Sequence, residues 1–119
     1  MRAVGEHLWG DEFDERWMQI ANGFGGGVAG THAHLCGALS GGLIVLGLRY
    51  GRTSASTPDD PLYGRIRRFR QRFADEIGGV MCRALRDKGP YGPQGPLNCR
   101  ILVERATMIL LECLDASSG

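Results

Sequence analysis

The sequence lacks the features that anchor a chain in a membrane or direct it to secretion. Its most apolar run, residues 33–48, is 16 residues long, whereas a membrane-spanning helix needs roughly 20 apolar residues. The opening MRAVGEHLWGDEFDERW has neither an apolar core nor a small-residue cleavage site. We therefore expect a cytoplasmic protein without a membrane anchor. In such a reducing compartment structural disulfides are rare.

The chain also has little net charge and none of the common hydrolase motifs. Its net charge of +1 gives no general attraction to nucleic acid or acidic lipid. A dense set of arginines, flanked by acidic residues, predicts a solvated or partner-facing helix surface rather than a nucleic-acid site. These arginines are Arg65, Arg67, Arg68, Arg70 and Arg72. The absence of a Ser-His-Asp set, a paired acid–base carboxylate motif and an HExxH helix leaves the cysteines to carry any catalysis.

Strand pairs and hairpin signals are absent as well, so the pattern favours one all-α domain over residues 1–119. We expect a compact bundle of four to five helices, with a glycine-rich loop between the first two. Helical spacing predicts helices over residues 12–21, 31–49, 80–89 and 99–115, and one from residue 59 or 60 to Gly78. Thr31, Asp59 or Asp60, and Asn98 are the predicted caps. A short strand over residues 43–50 is the alternative, and residues 89–97 form a loop rich in proline and glycine.

Glycine is abundant, with eight of the 19 glycines between Gly23 and Gly42. Residues 25–30 match Gly-x-Gly-x-x-Gly, but a helix precedes them and no acidic residue follows at the required distance, so a tight turn is favoured over a dinucleotide site. Small residues along the second helix allow another backbone to approach closely. This composition also makes a homodimer plausible.

The four cysteines differ in their predicted positions. Cys36 and Cys99 lie near predicted helix starts, where the helix dipole favours a thiolate, and Cys82 lies in the short helix after Gly78. Cys113 is 14 residues beyond Cys99, about 21 Å along one helix, and is expected to be a core residue. Cys36, Cys82 and Cys99 are therefore the candidate catalytic thiols and metal ligands.

His32 is the candidate fourth metal ligand. In a helix beginning at Thr31, His32 and Cys36 would share one face. Thiolate ligands suit zinc or an iron–sulfur cluster. The backbone N–H groups of Gly25, Gly26 and Gly27 would approach the sulfur of Cys36 and complete a cofactor site.

Several of these stretches together resemble one known family. They are the loop Gly23-Phe24-Gly25-Gly26-Gly27, the box Cys36-Gly37-Ala38-Leu39-Ser40-Gly41, the segment GLRYGR, and the later Cys82 and Cys99. From about residue 21 to 106 the chain resembles the redox-active proteins named for the pattern Cys, Gly-Cys-Ala-x-x-Gly, Cys, Cys. The resemblance implies a helical domain whose cysteines bind a metal or iron–sulfur centre, or cycle between thiols and a disulfide. It also implies a redox partner protein.

The chain departs from that pattern in two places. Leu35 stands where the family has glycine, and no cysteine precedes Cys36. Either an upstream segment carries that cysteine or this member lacks it. A four-ligand site would then need His32, or Cys113 of a second chain. The alternative function is a non-catalytic helical interaction module, a homodimer in which the cysteines are core residues.

Overall fold

The computed structural model describes residues 1–58, 60–87, 91 and 97–116. Within these residues the chain forms five α-helices and no β-strand: α1 (Arg2–Trp9), α2 (Arg16–Ala21), α3 (Gly37–Tyr50), α4 (Asp60–Ile77) and α5 (Cys99–Ala116). Two short 3₁₀ segments, Gly10–Glu12 and Asn22–Phe24, and a π-helical segment, Arg83–Asp87, lie between them. The predicted all-α fold is confirmed, and α3 shows that the alternative strand over residues 43–50 is wrong.

Helices α3, α4 and α5 pack against one another and enclose the core. On α4 an apolar stripe at helical spacing faces inward, with Phe69 and Phe73 fully buried and their ring centroids 6.1 Å apart in an edge-to-face pair. Gly42 of α3 lies against Phe69, and a Cβ added there would come within 2.5 Å of the ring. Glycine therefore lets α3 approach α4 closely, as the small residues of this helix predict.

The N-terminal part of the chain differs from the prediction of one helix over residues 12–21. Helix α1 precedes that range, and it ends at Gly10, whose φ of 54° suits glycine. Helix α2 begins only at Arg16, whose backbone N–H donates to Asp14 Oδ1 at 2.9 Å. Trp17 then packs edge-on against Trp9 and Phe13, which holds α1 and α2 together.

The second predicted helix begins later than residue 31. Gly30 and His32 have φ values of 72° and 60°, which interrupt a right-handed helix. Thr31 is not a cap, because its hydroxyl donates to the carbonyl of Gly27 at 2.8 Å and so closes the glycine loop. Cys36, with φ −56° and ψ 134°, is the residue that precedes α3.

The predictions for the later helices and the loop before α5 are confirmed only in part. Asn98 caps α5 as expected, its Oδ1 accepting the N–H of Ile101 at 3.1 Å. Asp60 opens α4, while Asp59 and most of the loop over residues 89–97 lie outside the described residues. The short helix expected over residues 80–89 is π-helical at Arg83–Asp87, and its last two residues are likewise not described. Of the helices in the described ranges, none combines the length and apolarity that a membrane crossing requires.

The contact between Gly42 and Phe69 predicts a clear difference between two glycines of α3. Gly42→Ala should lower the free energy of unfolding by about 1–3 kcal/mol, because the buried ring cannot move aside. Gly47→Ala is the matched control, since a Cβ there meets nothing within 4 Å. It should stabilise α3 by about 0.5–1 kcal/mol. Urea denaturation of both variants measures the effect, and equal values would contradict the close packing.

Candidate functional site

Three of the four cysteines line one cavity of about 250 Å³. Each comes from a different segment: Cys36 immediately before α3, Cys82 immediately before the π-helical segment, and Cys99 at the first residue of α5. The other lining groups are glycine backbone and apolar side chains. The lining residues are Gly26, Cys36, Gly37, Ala38, Cys82, Leu85, Cys99, Leu102 and Val103. The structure thus brings together the three cysteines that the sequence singles out.

A small antiparallel bridge positions two of these thiols. The N–H of Cys36 donates to the carbonyl of Val80 at 2.8 Å, and the N–H of Cys82 donates to the carbonyl of His34 at 2.9 Å. Leu35 and Met81 are the opposed pair between these hydrogen bonds. Because side chains alternate along extended backbone, Cys36 and Cys82 lie on the same face of the bridge. Both contribute to the cavity on that face.

The glycine loop forms the wall behind Cys82. Five consecutive residues have positive φ: Gly26, Gly27, Val28, Ala29 and Gly30. This left-handed turn is closed by its own backbone, with the N–H of His32 donating to the carbonyl of Gly26 at 2.9 Å. At Gly27 a Cβ would meet the Cβ of Cys82 at 2.6 Å. The absence of a side chain at Gly27 therefore allows the loop to contact Cys82 directly.

The same loop contacts the start of α3. A Cβ added to Gly37 would lie 3.2 Å from the carbonyl oxygen of Phe24, 3.5 Å from the Cα of Gly25 and 3.7 Å from the backbone nitrogen of Gly26. Of the three glycines predicted to bind a cofactor, Gly26 lines the cavity and Gly27 backs Cys82. Gly25 packs against the helix start instead.

The thiol of Cys36 is largely buried, with 8% of the residue exposed. Burial raises the pKa of this thiol above its ordinary value, and the nearby Cys99 thiol adds to the increase. The backbone N–H groups of Ala38 and Leu39, at the start of α3, act in the opposite direction and lower the pKa of this thiol. The helix start does favour the thiolate, as the sequence predicts, but desolvation outweighs it.

Cys99 and Cys113 occupy contrasting positions on α5. Cys99 is exposed at the first turn. Cys113 is 4% exposed within the hydrophobic core and does not line the cavity. Its position agrees with the expectation of a core residue.

The four predicted metal ligands do not form a metal site in the described part of the chain. Residues 31–36 are not helical, so His32 and Cys36 do not share a helix face. His32 does not line the cavity. Among the residues that the structure describes, no three His, Cys, Asp or Glu side chains are arranged to hold a metal ion.

Several lining residues were not recognised as site residues from the sequence. Leu102 and Val103 follow Cys99 by three and four positions, so the helical period of α5 could have placed all three on one face. Val103 is 50% exposed and lies at the rim of the cavity. The contribution of Leu85 depends on the π-helical segment, which has no clear sequence signal.

Comparison with known proteins gives one result. A protein-family model described as "Putative redox-active protein (C_GCAxxG_C_C)" matches residues 1–113, a longer range than the resemblance over residues 21–106. Neither the curated proteins nor the solved structures include a match. The family match extends from α1 into the last turns of α5, and so includes all three cavity cysteines and the glycine loop. The chain therefore belongs to the C_GCAxxG_C_C family.

Proposed function

We propose that this protein carries out thiol–disulfide redox chemistry at the cavity lined by Cys36, Cys82 and Cys99. The single observation that carries the proposal is that three cysteines, from segments far apart in the sequence, line one cavity. The family's description as redox-active agrees with it. Disulfide exchange requires thiols that are close together and accessible to an oxidised partner.

Packing alone explains these cysteines less well. A cysteine that only fills space is expected to resemble Cys113, which is buried in the core and does not line this cavity. Cys36 also belongs to the core, but all three cavity cysteines line open space, and Cys99 is exposed. This contrast favours chemistry over the alternative of a non-catalytic interaction module.

The geometry also favours thiol exchange over a resident metal. Zinc binds about four ligands tetrahedrally, with sulfur about 2.3 Å from the ion. The described side chains include no group of three suitable ligands. Disulfide formation needs only two thiols, and it leaves the third free to exchange.

The first prediction concerns oxidation of the purified protein. Mild oxidation should form one intramolecular disulfide among the cavity cysteines, because their sulfurs share one cavity. Thiol titration and peptide mapping by mass spectrometry measure it. Cys113→Ser is the matched control and should oxidise as the wild type does. A disulfide that includes Cys113, or none at all, would contradict the proposal.

Metal analysis of protein purified without oxygen distinguishes thiol–disulfide exchange from metal ligation. Iron, zinc and acid-labile sulfide should fall well below one per chain or per dimer. The decisive case is a stoichiometric metal that is retained in Cys113→Ser but lost in Cys36→Ser, Cys82→Ser and Cys99→Ser. That result would contradict thiol exchange and assign the cysteines to metal ligation. Unreactive thiols together with no metal would leave the interaction module.

The glycine loop provides a second prediction. Gly27→Ala and Gly30→Ala introduce similar strain, since their φ values are 71° and 72°. Only Gly27→Ala forces a methyl group against Cys82, because a Cβ at Gly30 meets nothing within 4 Å. Iodoacetamide labelling of Cys82 should therefore rise several-fold in Gly27→Ala and stay unchanged in Gly30→Ala. An equal response in both variants would mean that strain alone is responsible.

A third prediction follows from the burial of Cys36. Its pKa in the folded chain is raised, so protonation of this thiol contributes stability below the unfolded-state pKa, and that contribution is lost as the pH rises through the folded-state pKa. The labelling rate of Cys36 should consequently reach its midpoint at a higher pH in the reduced folded protein than in urea. Peptide-resolved iodoacetamide labelling measures both profiles. A folded midpoint at or below the one in urea would show that burial does not control this thiol.

A further inference from the structure

We propose that the cavity thiols have fixed roles: Cys99 attacks a small disulfide first, and Cys36 then resolves the mixed disulfide. This assignment rests on the proposed thiol–disulfide function. It names the order of reaction and the substrate class, a compact low-molecular-weight disulfide.

Accessibility selects the first nucleophile. Cys99 is exposed, whereas Cys36 is 8% and Cys82 is 5% exposed. An incoming disulfide must present one sulfur in line with the attacking thiolate, so a buried thiol reacts slowly with an external molecule. Val103, one turn beyond Cys99, is 50% exposed at the rim and marks the open side of the cavity. Cys99 is therefore the cavity thiol that an external disulfide can reach.

Proximity selects Cys36 as the resolving thiol. Cys36 and Cys99 line the same cavity and interact electrostatically. Cys36 and Cys82 are diagonal neighbours across the bridge between residues 34–36 and 80–82. Diagonal neighbours in an antiparallel pair are about 7–8 Å apart, which exceeds the usual Cα separation in a disulfide. The pair Cys36–Cys99 is thus the better candidate for the final bond.

The charge of Cys99 also favours attack by Cys99 before attack by Cys36. While Cys99 is a thiolate, its charge opposes ionisation of Cys36. Once Cys99 is in a mixed disulfide it is neutral, and this opposition disappears. The backbone N–H groups of Ala38 and Leu39 at the start of α3, which lower the pKa of the Cys36 thiol, then favour the second thiolate.

The cavity limits the substrate. Its volume of about 250 Å³ suits one half of a small disulfide, lying against Leu85, Leu102 and Val103. The described lining residues include no charged side chain. Burying an unpaired charge there would be costly, so a compact uncharged disulfide fits best.

The proposed reaction is balanced in atoms and electrons. Cys99 releases its proton to solvent, and its thiolate attacks one sulfur of the disulfide RSSR. The S–S bond of RSSR breaks, a Cys99–S–S–R bond forms, and RS⁻ leaves and takes a proton from solvent. Cys36 releases its proton to solvent and attacks the Cys99 sulfur. A Cys36–Cys99 bond forms as the second RS⁻ leaves and is protonated. Two protein thiols are oxidised by two electrons, and RSSR is reduced to two RSH.

The test uses bis(2-hydroxyethyl) disulfide on the full, reduced chain. The wild type should release two small thiols per chain and end with a Cys36–Cys99 disulfide. Cys36→Ser should release one and accumulate a mixed disulfide at Cys99. Cys99→Ser should slow thiol release by more than about tenfold. Cys113→Ser, the matched control, should follow the wild type, and Cys82→Ser is measured beside it. Released thiol is followed by absorbance, and the bonds are mapped by mass spectrometry.

Two different failures are distinguishable in this experiment. If Cys82→Ser rather than Cys36→Ser traps the adduct, or the adduct maps to Cys36 or Cys82, the assigned order is wrong while thiol exchange stands. If the wild type releases no thiol and forms no disulfide, the proposed function fails with it. Cys36→Ala is tested beside Cys36→Ser, because burial of an unpaired hydroxyl destabilises the folded chain. Circular dichroism verifies that each variant is folded.

Discussion

Two backbone hydrogen bonds, joining residues 34–36 to residues 80–82, determine where the cysteine chemistry lies. They fix Cys36 at the start of α3 and place Cys82 on the same face of the bridge. The third thiol, Cys99, arrives separately with α5, which packs against α3 and α4. Without this bridge, Cys36 and Cys82 would lose the backbone hydrogen bonds that align the segment before α3 with the segment after α4.

The glycine loop makes this arrangement possible at an energetic cost. Val28 and Ala29 have φ values of 70° and 51°, which are unfavourable for residues with side chains, about 1–3 kcal/mol each. The hydroxyl of Thr31 and the backbone hydrogen bonds within the loop offset part of this strain. The result is a tight turn that contacts both Cys82 and the start of α3. Strain of this kind is commonly found beside functional groups, because the surrounding structure must hold them in one geometry.

Periodic and local features were predictable from the sequence. The stripe on α4 and the Asn98 cap of α5 depend on regular spacing and on short-range hydrogen bonds. The start of α3 was not predictable, because Thr31 has a capping side chain but lies between two residues with positive φ. The bridge could not be found either. It is one residue pair held by backbone groups, so no alternation of side chains marks it. The sequence thus identified the three cysteines, but could not show how they meet.

The three cavity thiols differ in burial, and this difference is the property of the site that best distinguishes thiol–disulfide exchange from metal ligation. A structural metal requires ligands that converge on one point and leave no coordination position open. The cavity presents two buried thiols and one exposed thiol, Cys99, at its open side. Such a difference in exposure does not suit a metal site with equivalent ligands. It suits two successive reactions, because the accessible sulfur can react with an external disulfide and a buried sulfur can then react with the mixed disulfide. In this chain, then, the unequal exposure of the thiols is itself part of the chemistry that we propose.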